Sequence, residues 1–276
     1  MKALIVTADD FGIAPEVNAA VELAHTRGIL TAASLMINGA AVDDAVERAR
    51  RLPSLRVGLH LVLIDGRPVL PREKIPDLVD ARGELRADLF MLGLDIALRP
   101  RVQAQLAAEI EAQFAAFRAT DLPLDHVNAH HHFHLHPVIA GQIVDIGKRY
   151  GMTAVRVPLE RASLLDRIEP FCRHHRNWIA APWTALLATR LRRHGLSGPD
   201  QVVGIAWSGA MTEQRTALPN GITEIYFHPA TVDTFDGAAS GYRYVEELAA
   251  LIAPGMKELV RVTGARTGGF SDCAAA

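Results

Sequence analysis

Six of the twelve histidines in this 276-residue chain fall between Leu124 and Pro137, LDHVNAHHHFHLHP, at His126, His130, His131, His132, His134 and His136. Six imidazoles in so short a span make a poor hydrophobic core, and neutral imidazole is a common nitrogen ligand of divalent ions such as Zn²⁺ and Ni²⁺. On a strand, His130, His132, His134 and His136 share a face; on a helix, the pairs His130/His134 and His132/His136 do. Either geometry presents two nitrogens to one cation. The run is internal and broken by Phe133 and Leu135, which argues against an affinity tag, and a solvated polar patch is the competing reading. Candidate carboxylates lie in Thr7-Ala8-Asp9-Asp10-Phe11-Gly12. Adjacent carboxylates repel when both are ionised, so a cation or a shared proton is a natural way to hold them together; an N-cap pair at the start of a helix is the structural alternative. His60 stands in the apolar stretch RVGLHLVL, Arg156 in TAVRVP, and His228 opens His228-Pro229-Ala230. A lone strand histidine is more often a packed, hydrogen-bonded residue than a ligand, and Arg156 reads equally well as a strand-end salt-bridge partner or as a residue orienting Asp9 or a substrate.

The elements around these residues make the metal reading stronger. Apolar or β-rich runs at Ala3–Val6, Ala32–Ile37, Arg56–Leu63, Thr153–Pro158, Val202–Ala206 and Gly221–Phe227 predict strands, with Glu258–Val262 as a last one. Helical spacing covers Ala14–Ala24 up to Gly28, Val42–Leu52 before Pro53, Val102–Phe117, Val138–Tyr150 and Tyr244–Ile252. This alternation predicts an α/β fold with a parallel sheet, read as a single domain. Asp9/Asp10, His60, the histidine run after the strand-like Leu124–Val127, and His228 all sit where a strand is predicted to end, and parallel β/α folds bring all such ends to one rim. The loop Ile64–Glu84, with Gly66, Pro68, Pro71, Pro76 and Gly83, is long enough to suggest a functional rim or lid.

The formal net charge is −2, so bulk charge advertises no nucleic-acid partner. Cys172 and Cys273 are too few and too far apart for a disulfide framework or a CxxC site. The apolar run after Met1 is too short for a signal-peptide core, and no stretch approaches the roughly 20 apolar residues that span a bilayer. The expected location is therefore cytoplasmic. Ser163–Pro199 breaks the βα rhythm, placing Trp178, Trp183, Leu186, Leu187 and Leu191 beside Arg190, Arg192 and Arg193. It reads as an amphipathic wall helix, or as a lid or edge in peripheral contact with the inner membrane.

Taken together, TADDFG at Thr7–Gly12, GLHL at Gly58–Leu61, HVNAHHHFHLHP at His126–Pro137 and FHPA at Phe227–Ala230 resemble the YdjC-like carbohydrate deacetylase family, and the layout resembles its hopanoid biosynthesis-associated branch, HpnK. The resemblance implies a distorted TIM-like (β/α) barrel that removes N-acetyl groups from amino sugars. By position it implies Asp10, His60 and His130 as metal ligands, Asp9 as general base and His228 as the acid for the leaving amine. His134 is held as a supporting or alternative ligand. The implied cofactor is a divalent ion, Mg²⁺ or Zn²⁺, with Ni²⁺ or Co²⁺ also suited to one carboxylate and two imidazoles. The expected partner is an N-acetylated amino sugar or a glycolipid such as an N-acetylglucosaminyl hopanoid, and homo-oligomerisation is left open. Another metal-dependent amidase or esterase, or a non-catalytic metal-binding protein, would use the same residues.

Overall fold

The computed structural model describes residues 2–169, 181–213 and 220–274. Its strands are β1 (Lys2–Phe11), β2 (Ala32–Leu35), β3 (Arg56–Leu61), β4 (Val127–Ala129), β5 (Gln201–Val203), β6 (Gly221–Phe227) and β7 (Arg266–Thr267). All pair in parallel, in the order β4-β3-β2-β1-β6-β5, with β7 alongside the start of β1. Parallel neighbours need crossovers, and helices supply them: α1 (Pro15–Arg27), α2 (Val42–Arg51), α3 (Leu89–Leu98), α4 (Pro100–Arg118), α5 (Pro137–Arg149), α6 (Ala162–Ile168), α7 (Ala181–Arg193), α8 (Tyr244–Ile252), α9 (Pro254–Thr263) and α10 (Phe270–Ala274).

The sheet curls into a half-barrel. Residues 153–159 span its open side through single bridges, Val155 to Val127 of β4 and Ala154 to Ser197, and Val202 donates its N–H to Leu159 O at 2.8 Å. The regular strand expected at Thr153–Pro158 is thus reduced to bridge residues, because its pairing partners are short and Pro158 brings no N–H. Alternation along β1 sorts the two faces. Leu4, Val6 and Ala8 join the large core under the outer helices, whereas Ala3 and Ile5 face inward to a small apolar floor with Ala32, Ala154, Phe270 and Cys273. The C-terminal helix α10 therefore closes the bottom of the curl. Above that floor the buried residues turn polar: Thr7, Ser34, His126, Asn128, Arg156 and Glu224.

Two further expectations are corrected, and one helix had not been anticipated. Glu258–Val262, expected as a strand, lies inside α9, which Pro254 opens at its first turn and Gly264, at φ 59°, closes in the left-handed conformation. Helix α3 carries no predicted counterpart, because LFMLGLDIAL is apolar except for Asp95 and lacks a helical stripe. The histidine run is neither strand nor α-helix but a 3₁₀ turn over His130–Leu135, with His131 and His132 at φ 54° and 52°.

Of Ser163–Pro199, expected as a wall helix or a lid, α7 buries Thr184, Leu187 and Leu191 and packs on α5 and the histidine turn, with Arg190 Nη1 donating to Pro137 O at 2.5 Å. Its outer side leaves Trp183 and Leu186 exposed. Trp178 and Cys172 lie outside the described residues. Among the described residues no helix is long and apolar enough to cross a membrane.

Candidate active site

Successive side chains on a strand face opposite ways, yet Asp9 and Asp10 both line one cavity. Asp10 at φ 62° makes this possible: a left-handed residue, tolerated by Asp, breaks the alternation where the β1–β2 register shifts between Ala8 and Phe11. Asn18 of α1 fixes the turn by accepting the Gly12 N–H at 2.8 Å and donating to Ala41 O.

Asp10 faces two imidazoles. His60 Nε2 lies 3.5 Å from Asp10 Oδ1, and His130 Nδ1 lies 3.6 Å from the same oxygen. One donor atom from each of these three residues falls within 4.8 Å of the others, a grouping able to hold a metal ion. The donor chemistry fits: Asp10 Oδ1 and His60 Nε2 are buried without a hydrogen-bond partner, as ligand atoms of a divalent cation are before it binds. Burial works to raise the Asp10 pKa, but His130, with His228 and His60, outweighs it and holds the carboxyl at about 2. Burial lowers the His60 pKa to about 4 against the pull of Asp9 and Asp10, so its imidazole is neutral and ready to ligate at pH 7.

Asp9 meets a different environment. Arg156 donates to both of its oxygens, Nη1 to Oδ2 at 2.5 Å and Nη2 to Oδ1 at 3.0 Å, and to Glu224 Oε1 through Nε at 2.9 Å and Nη2 at 2.6 Å. Arg156 and Glu224 are fully buried, and the guanidinium also lies over the Tyr226 ring, 4.6 Å from its centre. Burial alone would raise the Asp9 pKa; Arg156, then His60 and His228, hold it well below the usual carboxylate range. Arg156 is therefore a buried clamp between two carboxylates rather than a strand-end salt bridge at the surface. Across the cavity, His228 follows β6 with Nδ1 3.9 Å from Glu247 Oε2, and its backbone N–H donates to the same carboxylate. Burial raises the Glu247 pKa.

The remaining histidines separate. His134 is turned away from the ligand group and donates Nε2–H to Arg156 O at 3.0 Å, which supports the clamp's backbone. His132 Nε2 lies 3.4 Å from Tyr226 Oη. His131 approaches the exposed Asp65 at 3.6 Å, and these two with His130 form a second grouping at the cavity mouth. The cavity encloses about 940 Å³ and is lined by all five expected site residues, together with Tyr226, Tyr242 and Tyr244. The long loop supplies one rim through Asp65, Arg67 and Glu84. It is pinned by α4, where Glu109 accepts the Val69 and Leu70 N–H groups and Gln113 pairs with both backbone groups of Val62. Reading by sequence missed Glu224, Glu247 and Asn128. A charge inside the apolar run ITEIYF was the available signal for the first; Asn128 sat unremarked inside a quoted motif.

A family model for YdjC-like protein matches residues 3–262. The chain belongs to the YdjC-like family. It is 32% identical to a carbohydrate deacetylase of Brevibacillus brevis over 93% of this chain and 94% of the relative. It is also 32% identical to a chitooligosaccharide deacetylase of Yersinia enterocolitica, over 99% of both chains. A crystal structure from Enterococcus faecalis V583, of a protein assigned to cellobiose-phosphate cleavage, shares the fold with a TM-score of 0.76 at 24% identity, covering 98% of each chain. The deacetylase relatives support a YdjC-like hydrolase acting on acetylated amino sugars.

Proposed function

We propose that this YdjC-like protein is a metal-dependent N-deacetylase of amino sugars. The observation that carries the reading is the convergence, in one cavity, of the Asp10–His60–His130 group with a clamped carboxylate, Asp9, and a histidine, His228. A divalent cation held by Asp10, His60 and His130 would supply Lewis acidity toward the acetamide carbonyl and toward water.

The chain's own residues do the rest. Asp9, kept ionised and oriented by Arg156, takes the proton from the attacking water as the new C–O bond forms. His228 gives a proton to the amide nitrogen as the C–N bond breaks, since an amine leaves poorly unless protonated. Acetate and the free amino sugar result. Tyr226, Tyr242 and Tyr244 give the cavity aromatic faces suited to a sugar ring.

A lipid-linked N-acetylamino sugar, of the hopanoid type, is the substrate we favour. Two helices flank the histidine turn with apolar side chains outward: Trp183 and Leu186 on α7, and Leu89, Phe90, Met91, Leu94 and Leu98 on α3. These support peripheral contact with a lipid surface. The test is acetate release from N-acetylated oligosaccharides before and after chelation, with re-addition of Mg²⁺, Zn²⁺, Ni²⁺ or Co²⁺ one at a time. Activity should vanish on chelation and return with one of the ions. His60→Ala and His130→Ala should lose metal content and activity together. Full metal occupancy in both variants would refute the ligand group.

A further inference from the structure

Beneath the ligand group runs a buried hydrogen-bond chain that none of the proposed catalytic roles uses. Asn128 of β4 is its centre. Its Oδ1 lies 2.7 Å from His60 Nδ1, and its Nδ2 donates to Asp9 Oδ1 at 3.1 Å and to Ser34 Oγ at 2.9 Å. Ser34 Oγ lies 3.0 Å from His126 Nε2, and His126 Nδ1 lies 3.0 Å from Asp125 Oδ2. Asp125 in turn accepts the Phe270 and Ser271 N–H groups and the Ser271 hydroxyl of α10.

The donor and acceptor capacities fix the directions of the bonds around Asn128. Both oxygens of Asp9 already accept from the Arg156 guanidinium, so Asp9 acts here as an acceptor and the amide of Asn128 must turn its NH₂ toward it. Its oxygen is then committed to His60, and that nitrogen, Nδ1, must carry the proton. The consequence falls on the opposite side of the ring. His60 Nε2, the atom facing Asp10, is left with its lone pair bare, as ligation requires. Ser34 accepts from Asn128 with its oxygen and is joined to His126 Nε2. Asp125, already accepting from Phe270 and Ser271, accepts from His126 Nδ1–H as well. The ring of His126 is held between the Phe270 ring, 4.1 Å away and stacked, and Gly58, where any Cβ would come within 2.5 Å of it.

We propose that Asn128 is a positioning residue that reads the ionised Asp9 and sets the His60 tautomer for metal binding, with Ser34, His126 and Asp125 locking its amide from behind. The inference rests on His60 being a metal ligand, but its first test does not require metal. In metal-free wild-type protein at pH 7, ¹⁵N-labelled histidine spectra should report the Nδ1–H tautomer for His60. In Asn128→Ala the ring should lose that preference, and calorimetric affinity for Zn²⁺ should fall by about 10- to 100-fold, the usual cost of removing such a support. Asn128→Asp, whose two oxygens both accept, keeps an acceptor for His60 Nδ1–H and should retain the Nδ1–H tautomer that Asn128→Ala loses. An Nε2–H tautomer in the wild type overturns the proposal, and so does unchanged Zn²⁺ affinity in a folded Asn128→Ala protein. If both variants fail to fold, the wild-type tautomer alone decides. A wild type with the Nδ1–H tautomer that binds no Zn²⁺ refutes the metal reading while leaving the tautomer assignment standing.

Discussion

At the residue scale, the two neighbouring aspartates owe their separate roles to what surrounds each of them. Asp10 faces the imidazoles of His60 and His130; Asp9 faces a buried guanidinium. Asp9→Asn should therefore keep metal bound while lowering turnover by about 10²-fold or more, the scale of lost acid–base catalysis. His228→Ala should slow amine release on a similar scale, and a substrate with a better leaving group should partly restore only the His228 variant. Equal rescue of both would overturn the assignment of base and acid. Arg156 carries a structural load as well. Removing it leaves Asp9 and Glu224 buried without their partner, so Arg156→Met should cost about 3–5 kcal/mol of stability, read by chemical denaturation. Adding Glu224→Gln to that variant should recover part of the loss. Residue types at strand ends pointed to the candidate ligands and acid–base pair because those types are few and chemically distinctive. The charge in ITEIYF marked Glu224, but the clamp was not readable, since a charge in a strand does not reveal which partner crosses the curl to meet it.

At the scale of elements, periodicity located most helices, since amphipathic stripes mark them directly, and it failed where a stripe is absent. Helix α3 and the histidine turn are the examples: one is apolar except for Asp95, and the other depends on two left-handed residues that no spacing rule anticipates. Helix α10 was equally hidden, being five residues at the end of the chain, yet it seals the floor of the curl and ties to Asp125. Burial would raise the Asp125 pKa, but His126 and Ser271 outweigh it and depress it below the ordinary carboxylate value. A depressed carboxylate contributes stability that is fully present above its unfolded pKa of about 3.9 and is lost as pH falls through the folded value. Asp125→Asn should thus lower stability at pH 7 by about 1.5–3 kcal/mol, the range for hydrogen bonds to a charged group. Its stability should also decline less than that of the wild type between pH 5 and pH 2, measured by denaturant titration at each pH. The same element explains a glycine in the GLHL motif. Gly58→Ala would push a methyl group into the His126 ring, an overpacking that should cost about 1–3 kcal/mol.

At the scale of the whole molecule, the curl puts its chemistry at one rim and its exposed apolar side chains on two helices beside the histidine turn. The α/β class and the parallel sheet were legible, because strands and helices alternate along the chain; closure was not, because residues 153–159 make isolated bridges that no β-pattern encodes. Surface apolar residues scattered singly mean little, but α3 exposes five in ten residues, with Phe90 at 80% and Leu98 at 70%. A soluble short sugar gives these side chains nothing to meet, whereas a sugar carried on a lipid requires the protein to approach an interface while the acetamide enters the cavity. Exposed Arg192 and Arg193 on α7 would add about 1 kcal/mol each near anionic headgroups, so binding should weaken as salt rises. Co-sedimentation with anionic liposomes should thus retain the protein at low salt, and Phe90→Ser with Leu98→Ser should release it without lowering turnover of free N-acetylated disaccharides. Turnover of a lipid-linked N-acetylamino sugar in the same vesicles should fall in that double variant. A protein that ignores liposomes and hydrolyses the free and lipid-linked sugars equally well would refute the lipid-linked substrate, while leaving the deacetylase chemistry intact.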